Sequence, residues 1–236
     1  MSGIRIILGT SIIMVLIGYL IIQFNPGLNL KSDSVADLNM VDNFQLSNNI
    51  ESENLINASS IIIEDMVLGD PNAPVTIIEY ASFTCPHCKN FHEGTFKKLK
   101  KNYIDEGTVK FILRDVYFDR YGLWAAMVAR CDNSEKFYGI VDEIFRRQAE
   151  WTKGDEDIQI ANNLRKIGLS IGMDSSTIGA CLSDGDMAQA LVDVYQKNAE
   201  KDKISSTPSF IINGEKMKKS TYDEFVDKID EHLKGY

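Results

Sequence analysis

The strongest constraint on the fold of this 236-residue chain is a pair of closely spaced cysteines that directly follows a run of strand-forming residues. The run Val75–Tyr80 is β-branched and mostly apolar, which predicts a strand buried on both faces. The motif Cys-Pro-His-Cys at 85–88 comes next, and apolar residues then recur at helical spacing from Phe91 to Tyr103. A second apolar run at Val109–Arg114 completes a strand-helix-strand pattern, which is typical of a parallel crossover.

A long segment without strand-like sequence follows this pattern. Between residues 121 and 202 the apolar residues recur at helical spacing, which predicts several helices, among them one from Phe137 to Trp151, and only turn-like breaks interrupt the segment. The chain then returns to a short strand at Ser209–Ile212, followed by Asn213-Gly214, a dipeptide that strongly favours a β-hairpin turn. An amphipathic helix at Tyr222–Leu233 ends the chain. We therefore expect an α/β fold with an inserted helical domain.

The N-terminal part differs in composition from the rest. No residue from Ile6 to Ile22 is charged, and these 17 residues reach the lower limit for a helix that crosses a membrane. No small-residue cleavage site follows closely, which favours an uncleaved signal anchor over a signal peptide or a buried helix. Arg5 favours a cytoplasmic N-terminus and an exported remainder.

The segment after this apolar stretch is rich in Asn, Ser and acidic residues, which predicts a flexible linker. Scattered apolar residues between Leu38 and Ile56 leave a short oligomerising helix open. The predicted segments are thus a signal anchor or signal peptide at 1–24, a linker at 25–64, an α/β domain at 65–120 and 203–236, and a helical insert at 121–202.

The charge balance argues against one class of partner. The chain has 25 Lys and Arg residues against 34 Asp and Glu residues, so its formal net charge of −9 repels phosphate backbones. We therefore expect no nucleic acid partner. The 44% of hydrophobic residues is enough for a packed core, which excludes a wholly disordered chain.

The two close cysteines have the placement of a redox site. At the start of a helix, the sulfur of Cys85 lies over unpaired backbone N–H groups and the positive end of the helix dipole, which stabilise a thiolate. Pro86 fits a first helical turn, and His87 adds a donor or a cation near the sulfur. A zinc site needs four ligands, and Cys131 and Cys181 are isolated in the sequence. Zinc binding and a purely structural disulfide within the motif are the less favoured alternatives.

The residues from Ala73 to Cys88, Ala-Pro-Val-Thr-Ile-Ile-Glu-Tyr-Ala-Ser-Phe-Thr-Cys-Pro-His-Cys, resemble the active-site strand of the DsbA family of exported thiol-disulfide oxidoreductases. The resemblance covers about residues 66–236 and implies a thioredoxin-like fold with an inserted helical domain. It also implies a cis peptide bond at Pro208, facing the cysteines, and a buried acid, Glu79, that helps to move protons. The alternative for that acid is an exposed edge carboxylate. Thr207 departs from the valine of the family's best-known oxidase, so the resemblance leaves the oxidising strength open.

Cys131 and Cys181 both fall in the helical insert. Exported proteins pair leftover cysteines more often than they leave them free, so we expect a structural disulfide between the two. Two buried thiols are the alternative.

Three functions are compatible with these features. The leading hypothesis is an oxidase without a cofactor that introduces disulfides into exported proteins with reduced cysteines, by exchange at Cys85–Cys88. Such a protein is periplasmic or extracytoplasmic, anchored in the inner membrane through residues 6–22, and the resemblance implies a quinone-linked, DsbB-like membrane reoxidase. The alternatives are an oligomeric disulfide isomerase and a non-enzymatic, thiol-dependent module that binds metal or client proteins.

Overall fold

The computed structural model describes residues 61–131, 136–218 and 220–234. The predicted membrane segment and nearly all of the predicted linker lie outside these ranges. Within them, no helix is both long enough and apolar enough to cross a membrane.

Strands and helices alternate at both ends of the described chain, and a run of helices occupies its middle. In chain order the elements are β1 (Met66–Leu68), β2 (Val75–Ala81), α1 (Pro86–Glu93), α2 (Thr95–Leu99, continued by a π-helical turn at Lys100–Ile104), β3 (Val109–Asp115), α3 (Arg120–Ala129), α4 (Phe137–Arg146), α5 (Gln148–Trp151), α6 (Asp157–Ser170), α7 (Ser175–Leu182), α8 (Gly185–Lys201), β4 (Ser209–Ile212), β5 (Glu215–Lys216) and α9 (Tyr222–Leu233).

The strands form one mixed sheet in the order β1-β3-β2-β4-β5. The central strand β2 runs parallel to β3 and antiparallel to β4, so Ile77 lies opposite Phe111 on one side and Ile212 on the other. All three of these side chains are buried. The parallel pairing of β2 with β3 confirms the predicted parallel arrangement, and the antiparallel pairing of β4 with β5 confirms the predicted hairpin.

The backbone conformation of the turn between β4 and β5 explains why Asn and Gly occupy it. Asn213 and Gly214 both have positive φ, 44° and 88°, which is the conformation that an Asn-Gly turn of this kind requires. Asn213 also ties the turn to the start of the central strand, because its side-chain oxygen accepts a hydrogen bond from the backbone N–H of Thr76 at 2.8 Å.

The helical segment between β3 and β4 runs from Arg120 to Lys201, which differs by one residue at each end from the predicted range of 121–202. The predicted continuous helix from Phe137 to Trp151 is wrong, because the backbone at Arg147 leaves the helical conformation (φ −97°, ψ 14°) and separates α4 from α5. α4 packs against α1, so the insert lies directly beside the helix that follows the cysteine motif.

A disulfide joins two parts of the helical segment. Cys131 follows α3 and Cys181 lies in α7, and their sulfurs are 1.97 Å apart. Cys131 borders the main hydrophobic core, in which Trp151, Ile160 and Leu164 are fully buried. The link therefore lies within the packed helical segment.

Candidate active site

The loop that leaves the central strand places Cys85 at the N-terminus of α1. Cys85 is the N-cap residue, with an extended backbone (φ −79°, ψ 119°), and Pro86 occupies the first turn, where its missing N–H is not needed. No side chain caps this end of the helix, and the backbone N–H groups of His87 and Cys88 favour a thiolate on Cys85. The unpaired backbone N–H groups at the start of α1 therefore act on the sulfur of Cys85.

The two cysteines of the motif differ in exposure and in the pKa of their thiols. Cys85 is partly exposed, whereas Cys88 is fully buried, and both are free thiols. Burial raises the pKa of the Cys85 thiol, but the Thr207 side chain and the N–H groups in the first turn of α1 outweigh it and leave the pKa below that of an ordinary cysteine. At Cys88, burial and then the negative charge of Glu79 raise the pKa well above the ordinary value. Negative charge therefore resides preferentially on Cys85.

Thr207 lies against the cysteines from the loop that precedes β4. The peptide bond between Thr207 and Pro208 is cis, and the Thr207 carbonyl oxygen accepts a hydrogen bond from the Cys85 thiol at 3.6 Å. The Thr207 hydroxyl is buried without a hydrogen-bond partner. Because a hydroxyl can donate to a thiolate, this group lowers the pKa of both cysteines.

The side chain of His87 is exposed, and the structure shows no contact between its ring and the Cys85 sulfur. The backbone N–H of His87, rather than its ring, is among the groups that lower the pKa of Cys85. That backbone donor is present whatever side chain occupies the position. Any contribution of the imidazole therefore adds to a donor set that the helix start already supplies.

Glu79 lies in the core of the sheet, next to the buried cysteine. It is 0% exposed, so it is not an exposed edge carboxylate, and its charge is one cause of the raised pKa of Cys88. Its carboxylate oxygen Oε2 lies 2.7 Å from Nε2 of His92, which is also buried. No motif in the sequence indicates a function for His92.

The described residues contain no group of three or more His, Cys, Asp or Glu side chains arranged to bind a metal ion. The groups that surround the Cys85 sulfur as one shell are the Thr207 side chain and the N–H groups at the start of α1, which are hydrogen-bond donors rather than metal ligands. This shell is suited to a thiolate.

The family model described as thioredoxin matches residues 62–231, which is most of the chain. The chain belongs to the thioredoxin family. The thioredoxin-like fold with an inserted helical segment that the sequence predicts is therefore confirmed.

Two relatives of the chain have names that refer to protein disulfide chemistry. The chain is 29% identical over 170 residues to a Rickettsia prowazekii protein that bears the name of a protein-disulfide oxidoreductase, over 72% of this chain and 61% of that protein. It is also 29% identical over 182 residues to disulfide bond formation protein D of Bacillus subtilis, over 72% of this chain and 77% of that relative. The match thus spans about three fifths of the length of the Rickettsia relative.

Solved structures give the same grouping. Wolbachia pipientis alpha-DsbA1 superposes with a TM-score of 0.67 at 28% identity, over 75% of this chain and 94% of that chain. Oxidised BdbD from Bacillus subtilis superposes with a TM-score of 0.65 at 26% identity, over 72% of this chain and 93% of that chain. The resemblance to DsbA proteins that the motif indicates is thereby confirmed.

Two contacts around the DsbA-like motif were not expected from the sequence. The buried side chain of Gln148, at the start of α5, donates hydrogen bonds to the carbonyl oxygens of Phe83 at 2.7 Å and Cys85 at 3.0 Å. The hydroxyl of Thr84 donates to Asp119 at 2.7 Å, and Asp119 also caps α3. The helical segment therefore fixes the loop that presents Cys85. A polar residue at the end of an apolar helix was the only sequence signal for the first contact.

Proposed function

We propose that this chain is a thiol-disulfide oxidoreductase that introduces disulfides into exported client proteins by exchange at Cys85–Cys88. The observation that supports this most strongly is the asymmetry of the two thiols: the exposed one has a lowered pKa and the buried one a raised pKa. A pair of this kind stabilises the reduced form through the Cys85 thiolate, so its disulfide is an oxidant. The names of the Rickettsia and Bacillus relatives agree with this activity.

The exchange follows two displacements at sulfur. A client thiolate attacks Sγ of Cys85, which is the more exposed of the two sulfurs, and the electron pair of the broken S–S bond leaves on Cys88. Cys88 takes up a proton, because its thiol has a raised pKa. A second client thiolate then attacks the client sulfur of the mixed disulfide and forms the client disulfide. Cys85 leaves as a thiolate, so the enzyme has gained two electrons.

The remaining predicted site residues support these steps in our proposal. The segment Thr207-Pro208 borders Cys85 and offers backbone groups on which an extended client segment can form main-chain hydrogen bonds. Pro86 and His87 shape the first turn of α1, which supplies donors to the Cys85 thiolate. Glu79 is the buried carboxylate that exchanges a proton with Cys88, since its charge acts on that thiol.

Each turnover leaves the dithiol form, so the activity requires an external oxidant. A quinone-linked membrane oxidoreductase of the DsbB type is the oxidant class that the DsbA resemblance favours. We further propose that the protein works outside the cytoplasm, anchored in the inner membrane by residues 6–22 and joined to the catalytic domain by a linker at 25–64. The domain boundaries that we propose are 65–120 and 203–236 for the thioredoxin-like part and 121–202 for the insert.

Turnover of a dithiol peptide by the full oxidised chain tests the proposal. We expect one equivalent of peptide disulfide per equivalent of oxidised protein, and many equivalents when oxidised glutathione is present. A scrambled-disulfide substrate in the same assay separates oxidase from isomerase, since an isomerase acts from its reduced form. No oxidation of the peptide by the disulfide form would leave only a binding module and contradict the proposal.

A further inference from the structure

A second polar group, separate from the cysteine motif, is enclosed in the core beneath it. Glu79 on β2 and His92 on α1 approach to 2.7 Å, and their side chains are 0% and 1% exposed. Cys88 lies one helical turn before His92, so both side chains occupy the same face of α1. Three proton-exchanging groups are thus buried together under the exposed sulfur.

The surroundings of this group are almost entirely aromatic. The His92 ring stacks on Phe145 of α4, with centroids 4.3 Å apart, and lies 4.7 Å from Phe96 of α2. The facing titratable group from α4 is Tyr138; burial, and less strongly the charge of Glu79, raise the pKa of that phenol. Its hydroxyl is occupied by backbone hydrogen bonds at the neighbouring strand β3. Tyr138 is therefore not available to bond the carboxylate.

The polar atoms that remain have no other partners. Oε1 of Glu79 and Nδ1 of His92 are buried without hydrogen bonds. An isolated carboxylate in such an enclosure is very unfavourable, whereas a carboxylate and an imidazole that share one proton are neutral as a pair. His92 is thus the single side chain hydrogen-bonded to Glu79 among the described residues.

We propose that His92 is a positioning residue for exchange at Cys85–Cys88: it holds Glu79 and shares with it the proton that moves to and from Cys88. This inference rests on the function proposed above. When the Cys85–Cys88 bond breaks, its electron pair leaves on Cys88, and the Glu79–His92 pair gives its shared proton to that thiolate. The negative charge moves from sulfur to the carboxylate, which stays hydrogen-bonded to His92 while Cys88 holds the proton. In the reverse step Cys88 returns a proton to the pair and attacks Sγ of Cys85.

The reverse step provides the test, because it isolates Cys88. A peptide is attached to Cys85 of the reduced full chain through an activated peptide thiol, and the release of the peptide by Cys88 is timed between pH 5 and pH 9. We expect His92→Phe to slow peptide release at pH 7 by at least about tenfold. The loss should be smaller than the 10²- to 10⁴-fold attributed to a group that transfers the proton itself. The release rate of this variant should rise with hydroxide concentration across the whole range. His92→Gln can donate a hydrogen bond to Glu79 but cannot take up a proton. It should keep the fold and show the same pH profile of release as His92→Phe.

Phe145→Leu is the matched control, since it removes the ring stacked on His92 without changing a proton-exchanging group. We expect it to lower stability and to leave the pH profile of release unchanged. Wild-type rates and profiles in both His92 variants, or the same altered profile in Phe145→Leu, would overturn the inference while the proposed function stands. A wild-type chain that forms no mixed disulfide at Cys85 would overturn both.

A measurement on the wild-type chain covers the case in which the His92 variants do not fold. The ring nitrogen chemical shifts of His92 are compared between the dithiol and disulfide forms at the same pH. We expect a different protonation state in the two forms, because the pair exchanges its proton with Cys88 only when Cys88 is free. The same protonation state in both forms across pH 5 to 9 would overturn the inference.

Discussion

The two cysteine pairs of this molecule use the same chemistry in opposite ways. Cys85 and Cys88 are separated by two residues at the start of a helix, and both are free thiols. Cys131 and Cys181 are separated by 50 positions in the sequence and are bonded to each other. One pair lies where sulfur meets solvent and backbone donors, and the other links α3 to α7 within the helical segment.

Loop length and nearby donors explain the difference. In the chain-entropy model, closing a loop of about 50 residues stabilises the folded state by roughly 4 kcal/mol, whereas closing a loop of about four residues contributes only roughly 2 kcal/mol. The short loop also competes with a stabilised thiolate, because Thr207 and the first turn of α1 lower the pKa of Cys85. Surroundings, more than the cysteines themselves, therefore determine which pair exchanges and which pair stays bonded.

The largest effect is expected from the nucleophile. Cys85→Ser should abolish oxidation of a dithiol peptide, because the exposed sulfur that forms the mixed disulfide is absent. Cys88→Ser is the matched control: it should also stop turnover, but it should accumulate a peptide-linked species on Cys85 that mass spectrometry detects. A mixed disulfide on Cys88 in the Cys85→Ser variant would reverse the proposed roles.

The second effect falls on stability rather than exchange. Replacing both Cys131 and Cys181 by alanine should lower the free energy of unfolding by up to about 4 kcal/mol, since the cross-link no longer restricts the unfolded chain. Urea unfolding measures the loss, and the equilibrium of Cys85–Cys88 with glutathione should remain that of the parent protein. If that equilibrium shifts instead, the two pairs are coupled, and the assignment of exchange to one pair and stability to the other is wrong.

A smaller change is expected at Thr207. The nearly isosteric Thr207→Val removes the hydroxyl that lowers the pKa of Cys85, so that pKa should rise. The alkylation rate of Cys85 at pH 6 should fall by about fivefold, the factor that corresponds to one net hydrogen bond of about 1 kcal/mol. Thr207→Ser, which keeps the hydroxyl, is the control and should alkylate at the parent rate. Equal rates in all three proteins would show that the hydroxyl does not act on the sulfur.

The smallest change is expected at His87. Because the backbone N–H of His87, and not its ring, is among the groups that lower the pKa of Cys85, His87→Ser retains that donor and should raise the pKa only slightly. We expect less than about a twofold change in alkylation rate at pH 6, on the scale of a weak, exposed interaction. A larger change than that of Thr207→Val would mean that the imidazole acts directly on the thiolate.

Local patterns in the sequence were sufficient for the parts of the fold that depend on near neighbours. The run Val75–Tyr80, the motif at 85–88 and the dipeptide Asn213-Gly214 each indicate their own backbone conformation. The short strand β1 was missed because three residues are too few to show a period, and they are ordered by pairing with β3. The break at Arg147 was missed because the apolar residues on both sides continue at helical spacing.

The contacts of the site that depend on distant segments could not be predicted. Gln148 reaches the carbonyl of Phe83 across 65 positions, and only the packing of α5 beneath the active-site loop brings them together. His92 meets Glu79 only when α1 lies over the central strand. The spacing of four residues between Cys88 and His92 was a usable signal, because it places both on one helix face.

Titration of the reduced protein by its thiolate absorbance tests the central claim most directly, since the claim is that the helix start and Thr207 favour a thiolate on Cys85. The wild type and Cys88→Ser should both show one ionisation below the pKa of an ordinary cysteine, and Cys85→Ser should lack it. The thiolate fraction, and with it the alkylation rate, then rises with pH and levels off before an ordinary cysteine ionises. A wild-type ionisation at or above the pKa of an ordinary cysteine would contradict the account.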